Sequence, residues 1–178
     1  IASAQNQFNL NELGDGQLIL NLSASEQTSV QQDTLNILMQ YTAQGRDSTE
    51  LQDEVNQAMR EALAILEKTN NIEFSTQQYH VYTVQEGRPT RNDINNPVLR
   101  AQQSVQMNSM NSEALLVASA RLQAAGLTIS NLYYSLSSER YEEISDSMMN
   151  AALLKLQSRA DEAASFMKKS SAQLVEVN

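Results

Sequence analysis

Cysteine is absent from the 178 residues, which excludes disulfides, thiolate metal ligands and a cysteine nucleophile together. The compartment stays open, because a chain without thiols tolerates oxidising and reducing surroundings equally. Histidine occurs once, as His80. Any nucleophilic triad would have to use it, and the serines fall in caps and turns without a nucleophile-elbow motif. Long apolar runs are missing as well, so no segment is expected to span a bilayer. Basic residues are scarce: 12 Lys and Arg stand against 21 Asp and Glu, for a net charge of -9. A field of that sign repels phosphate backbones and anionic headgroups, so nucleic acid is not an expected partner.

Amides take the place of charge. Gln and Asn number 19 and 16, and they are dispersed through periodic segments without forming a low-complexity tract. At 41% hydrophobic residues the chain has enough apolar material for one core, and its length suits a single domain. Residues 1–16 are rich in Asn, Gln and Gly without a period and read as an N-terminal arm or tail. Ala2-Ser3-Ala4 has the small-x-small form of a signal-peptidase site, a hint of a processed end, although such triplets are common.

Residues 17–178 read as one domain of alternating strands and helices. Leu18, Leu20, Leu22 and Ala24 fall on every second position between Gln17 and Ala24, the pattern of a half-buried strand. A second strand carries Leu35, Ile37, Met39, Tyr41 and Ala43 on one face, and Gly45 breaks it. Asp47, three residues before Glu50, resembles a capping box and predicts a helix from about Ser48. Its buried stripe is Leu51, Val55, Ala58, Met59, Ala62, Ile65 and Leu66, and the Asn70-Asn71 pair can take the left-handed conformation of a helix exit.

A third strand spans Ile72 to Val84, a solvated hairpin connection spans Gln85 to Pro97, and a fourth strand from Val98 buries Leu99, Ala101, Val105 and Met107. Asn111 then caps a helix with the stripe Leu115, Ala118, Leu122 and Ala125, and Gly126 supplies its left-handed exit. A strand over Leu127 to Leu136, a long helix over Ser138 to Lys168 and a short strand at Leu174-Val175-Val177 complete the chain. The long helix carries the stripe Ile144, Met148, Ala152, Leu156, Ala160, Ala163 and Met167. The fold class is therefore α+β, in the order β-β-α-β-β-α-β-α-β, with an antiparallel-rich sheet and helices packed on one face.

Gly126 followed by Leu127-Thr128-Ile129-Ser130-Asn131-Leu132, the long helix with Ala152, Ala160, Ala163 and Ala164, and the closing Leu174-Val175-Glu176-Val177 together resemble the SIMPL domain family. Asp33-Thr34-Leu35-Asn36-Ile37 and the Ile72 to Val84 strand extend the resemblance, which covers roughly residues 17–178. The resemblance implies a bacterial periplasmic or outer-membrane-associated product without a known enzymatic reaction, cofactor or catalytic residue. Some such proteins assemble into large rings, and the family has a loose link to oxidative-stress defence. Two features depart from the family: Gln85 to Pro97 lacks aromatic residues often seen there, and Lys168 to Gln173 lacks the usual glycines.

The candidate reactive groups have plainer readings. His80 has no carboxylate at an orienting spacing and, on strict alternation, shares a face with Phe74 and Tyr82. Glu139, Glu142, Glu143 and Asp146 crowd the first turns of the long helix, where the helix dipole favours acidic residues, and they lack calcium-loop spacing. No metal or cofactor is expected. Met39, Met59, Met107, Met148 and Met167 fall on apolar stripes as gap-fillers, leaving Met110 and Met149 as the candidates for exposed, oxidisable sulfur. Tyr79 and Tyr82, like Tyr133 and Tyr134, are expected one on each face of their strands. Arg88, Arg91 and Arg100 concentrate positive charge around the hairpin of an acidic chain and are the candidate subunit contacts.

The leading expectation is a non-enzymatic, exported envelope protein that self-associates and serves oxidative or envelope stress tolerance. The alternative is a monomeric binding module or adaptor that holds a peptide or small ligand between sheet and helices.

Overall fold

In a computed structural model of the chain, residues 17–84 and 96–173 are described. They fall into two compact units, one drawn from residues 31–84 and 96–138 and a second from residues 17–30 and 139–173. In the first unit, strand β1 (Thr34–Gly45) leads into helix α1 (Ser48–Leu66) and strand β2 (Glu73–Val84). Strand β3 (Val98–Ser109), helix α2 (Ser112–Ala124) and strand β4 (Thr128–Ser135) then repeat the motif.

All strand pairs are antiparallel, in the order β2-β3-β1-β4. Consequently β1 and β2 run parallel with β3 between them, and β3 and β4 run parallel with β1 between them. This is the split β-α-β, ferredoxin-like arrangement.

Local chemistry sets the element ends. Asp47 caps α1, accepting hydrogen bonds from the backbone N–H of Thr49 at 2.7 Å and of Glu50 at 3.2 Å, which satisfies two of the donors a helix start leaves open. Asn111 caps α2 by accepting from the Ala114 N–H at 3.1 Å. Helix α2 leaves through the left-handed Gly126, with φ 95, whereas α1 ends in a right-handed cap at Glu67 and the left-handed residue, Asn71 with φ 63, comes in the turn that leads to β2. At Gly126 the φ favours glycine, and an added Cβ would make a tight 3.3 Å contact with the Tyr41 ring.

The two helices cover one face of the sheet. Leu35, Ile37, Met39, Ala101, Val105 and Met107 from the strands meet Leu51, Val55, Met59, Ala62 and Leu66 of α1 and Leu115, Ala118 and Leu122 of α2. Every one of the strand residues named is without exposure, and Ala43, further along β1, keeps 4%. Tyr41 adds a polar tie at the margin of this core. Its hydroxyl donates to Glu54 Oε1 at 2.9 Å, and that bond is the first cause of a phenol pKa held above its usual value.

The second unit contains helix α3 (Ser138–Phe166) and the extended segment from Gln17 to Val30. Lys155 Nζ donates to Ser25 O at 3.2 Å and pairs with Glu26 at 2.9 Å, while Arg159 donates to Ser23 O at 2.5 Å. The expected strand over Gln17 to Ala24 does not form. Its alternation is real, but the carbonyls of Ser23 within it and of Ser25 just beyond it accept from side chains of α3, and no strand ladder among the described residues supplies the paired partner that a strand requires. Leu18, Leu20 and Leu22 remain exposed. The stripe expected on α3 has the right phase and lies shallow: its seven positions are half-buried, and Ala164 is the buried residue of this helix. The arm over residues 1–16 and the closing strand at Leu174–Val177 lie outside the described residues.

Candidate functional site

The chemistry of the first unit concentrates on the sheet face opposite its helices and on the free edge of β4. Strand alternation puts Asn36, Leu38, Gln40, Thr42 and Gln44 of β1 on that second face, beside Arg100, Gln102, Ser104, Gln106 and Asn108 of β3. The margins add His80 and Tyr82 from β2, and Asn131 and Tyr133 from β4.

Amide side chains organise one another across this face. Gln102 Nε2 donates to Gln40 Oε1 at 2.8 Å, Arg100 Nη2 donates to Gln44 Oε1 at 3.1 Å, and Asn36 Nδ2 donates to Ser135 Oγ at 2.8 Å. These cross-strand bonds hold the polar groups in register above the backbone ladder.

Two bulges decide which residues arrive there. In β2 the register shifts between Thr76 and Tyr79, and in β4 between the partners of Leu38 and Met39. An extra residue reverses the alternation beyond it. Phe74 therefore faces the helices opposite Met107, while His80 stands opposite Gln102 on the second face with Tyr82. The expectation that His80 shares a face with Phe74 is corrected by this bulge. One tyrosine of each pair lies on each face, as expected: Tyr79 and Tyr134 on the helix side, Tyr82 and Tyr133 on the other. The Tyr79 hydroxyl is enclosed without a hydrogen-bond partner among the described residues, and burial raises its pKa.

Strand β4 is an edge of a different kind. Its sequence, Thr128-Ile129-Ser130-Asn131-Leu132-Tyr133-Tyr134-Ser135, contains no charge, proline or glycine. Leu132, Tyr133 and Tyr134 are each 45% exposed. Such an edge presents unpaired backbone donors and acceptors, which proteins commonly blunt with charge or proline. Here the strand itself carries a bulge at Ser130, whose hydroxyl donates to Leu38 O at 3.1 Å.

At the junction after β4, Asp33 accepts from Ser137 twice, from its N–H and from its hydroxyl, both at 2.7 Å. The hydroxyl bond and then the backbone bond hold the Asp33 carboxyl below its ordinary pKa.

The candidate contact arginines separate. Arg100 sits in β3 and is engaged with Gln44, whereas Arg88 and Arg91 lie outside the described residues. Met110 and Met149 are 63% and 60% exposed. Among the described residues no group of three or more His, Asp or Glu could hold a metal ion, and no helix is long and apolar enough to cross a membrane. The amide face went unrecognised in the sequence because each of its residues reads singly as a solvated position. Its one available signal was the high Gln and Asn content of the alternate positions on the two central strands.

Among solved structures, a hydantoinase/carbamoylase family amidase from Burkholderia ambifaria is 13% identical, with a TM-score of 0.30, over 61% of this chain and 29% of that one. A putative amidohydrolase/peptidase from Burkholderia cenocepacia is 11% identical, also at a TM-score of 0.30, over 64% of this chain and 28% of its own. The chain thus spans less than a third of either structure, and the likeness carries no functional argument. No curated protein matches the sequence. The family comparison is of another order: the profile described as "SIMPL: Protein of unknown function (DUF541)" matches residues 20–178. A match over almost the whole length, on a sheet and helices of the expected class, means that this chain belongs to the SIMPL family.

Proposed function

We propose that the protein is a non-enzymatic, exported envelope component that self-associates by strand addition along β4 and contributes to oxidative or envelope stress tolerance. The observation that carries this reading is the charge-free β4 edge with Leu132, Tyr133 and Tyr134 exposed. In a chain of net charge -9, copies repel one another over most of their surface, and a neutral, hydrogen-bonding edge is where that repulsion is weakest. Arg88 and Arg91 would add attraction to an acidic neighbour. The stress role is supported by the accessible sulfur of Met110 and Met149, which oxidants reach before the buried Met39, Met59 and Met107. Export and envelope location rest on the family resemblance.

The rival, a monomeric module with a ligand between sheet and helices, is weaker because that layer is filled by side chains such as Ile37, Val55, Val105 and Leu115, all without exposure. Sedimentation at micromolar concentration separates the two. Self-association predicts a particle several times the 19.8 kDa chain mass, and Leu132→Lys should return it toward one chain by charging the edge. A wild-type protein that sediments as a single chain would overturn the assembly reading.

A further inference from the structure

The second sheet face has a composition that edge pairing does not use. Its two central strands present Gln40, Gln44, Gln102, Gln106 and Asn108 with Thr42 and Ser104 between them, around one half-buried apolar residue, Leu38, while Asn36 is buried and bonded to Ser135. Formal charge on the four strands of this face is limited to Arg100 and to Glu73, which stands opposite Asn108 at the other end of β3. Tyr82 and Tyr133 flank the amides from the two outer strands, 46% and 45% exposed.

We propose that this face binds an uncharged oligosaccharide. Charge complementarity points there first. A polyanion or a polycation finds no matching row of charges, and a neutral ligand meets no field to work against. Hydrogen bonding points the same way. A sugar hydroxyl donates and accepts at once, and so does a primary amide.

The Gln102–Gln40 bond uses one donor of Gln102 and the acceptor of Gln40, leaving the Gln40 NH2 and the Gln102 carbonyl oxygen directed by an existing partnership. Amides already held in place lose less freedom when a ligand arrives. Neighbouring strands stand about 4.8 Å apart, and successive same-face residues about 6.6 Å apart, so the grid has the scale of a sugar ring. The exposed tyrosine rings offer flat apolar faces for the C–H side of a pyranose, at margins where a chain crossing the sheet would meet them.

Two other macromolecular ligands fit less well. Modules that read RNA on a four-stranded sheet stack bases on aromatic residues of the sheet face. Here β1 and β3 carry no aromatic residue on that face, and a net charge of -9 opposes phosphate. A peptide joining by strand addition would use the edges and leave the amides idle.

The proposal does not depend on self-association. It is tested by isothermal titration of the full chain with maltohexaose, cellohexaose and chitohexaose, with oligouridine as the competing class. At least one hexasaccharide should bind, and Gln40→Ala/Gln102→Ala should weaken it about tenfold through two lost hydrogen bonds. Tyr133→Ala, at an exposed position that does not support the core, provides a second variant and should also weaken binding while circular dichroism stays unchanged. Failure of all three hexasaccharides to bind at millimolar concentration would overturn the proposal. So would binding that both variants retain, or binding of oligouridine in preference to every sugar.

Discussion

The two faces of the sheet share a backbone and differ in every side chain that matters. Ile37 faces the helices with no exposure, and its neighbour Asn36 faces the other way, bonded to Ser135. On the helix side, burial of apolar surface decides which residues are tolerated, and that requirement specifies the fold. On the amide side the residues bond one another at modest net benefit, because the same groups would bond water when unfolded. The helix side explains why the unit folds. The amide side contributes little to that stability, and it is the face proposed above to bind a neutral sugar chain.

This contrast can be broken or sharpened by measurement. Ile37→Ala should cost about 2–5 kcal/mol in urea unfolding, through lost transfer energy and the cavity left behind. A cost well below 1 kcal/mol would mean that the helix face is not the main support of the unit. Gln40→Ala/Gln102→Ala should cost at most about 1.5 kcal/mol, the net worth of an ordinary hydrogen bond. A larger loss would make the amide layer structural and erase the distinction between the faces.

The smallest expected effect concerns Asp33. Its folded pKa is depressed by the two bonds from Ser137, so its contribution is present above the unfolded value of about 3.9 and is lost as pH falls through the folded one. Urea midpoints taken through the acid range should fall less steeply in Asp33→Asn than in the wild type. Identical acid limbs would show that the Ser137 bonds contribute nothing.

Much of the helix side was legible in the sequence, because burial writes itself as period. Leu51, Val55, Ala58, Met59, Ala62 and Leu66 lie on the buried stripe that their spacing predicts, Asp47, Asn111 and Gly126 stand at the helix ends expected of them, and Asn71 takes the expected left-handed conformation five residues past the end of its helix. The first strand was misread because alternation at Leu18, Leu20 and Leu22 records apolar spacing and says nothing of a hydrogen-bonded partner. His80 was rightly grouped with Tyr82 and wrongly with Phe74, because a bulge is one inserted residue with no compositional mark of its own. The amide face escaped for a related reason. Asn36 and Asn108 become neighbours only through the pairing of β1 with β3, a long-range register that no local pattern encodes.

The strand order has a consequence for how this unit is assembled. Residues 34–84 supply two parallel strands separated by the width of a third, and residues 98–135 supply another such pair; each half fills the gap in the other. Neither segment can complete a ladder by itself, so a nascent chain released after β2 would hold a helix over a sheet with its middle missing. Folding must wait for distant partners to interleave, which favours an all-or-none transition and a slow approach to it. During that wait the apolar row of β1, Leu35, Ile37 and Met39, would stand open to pairing with other strands.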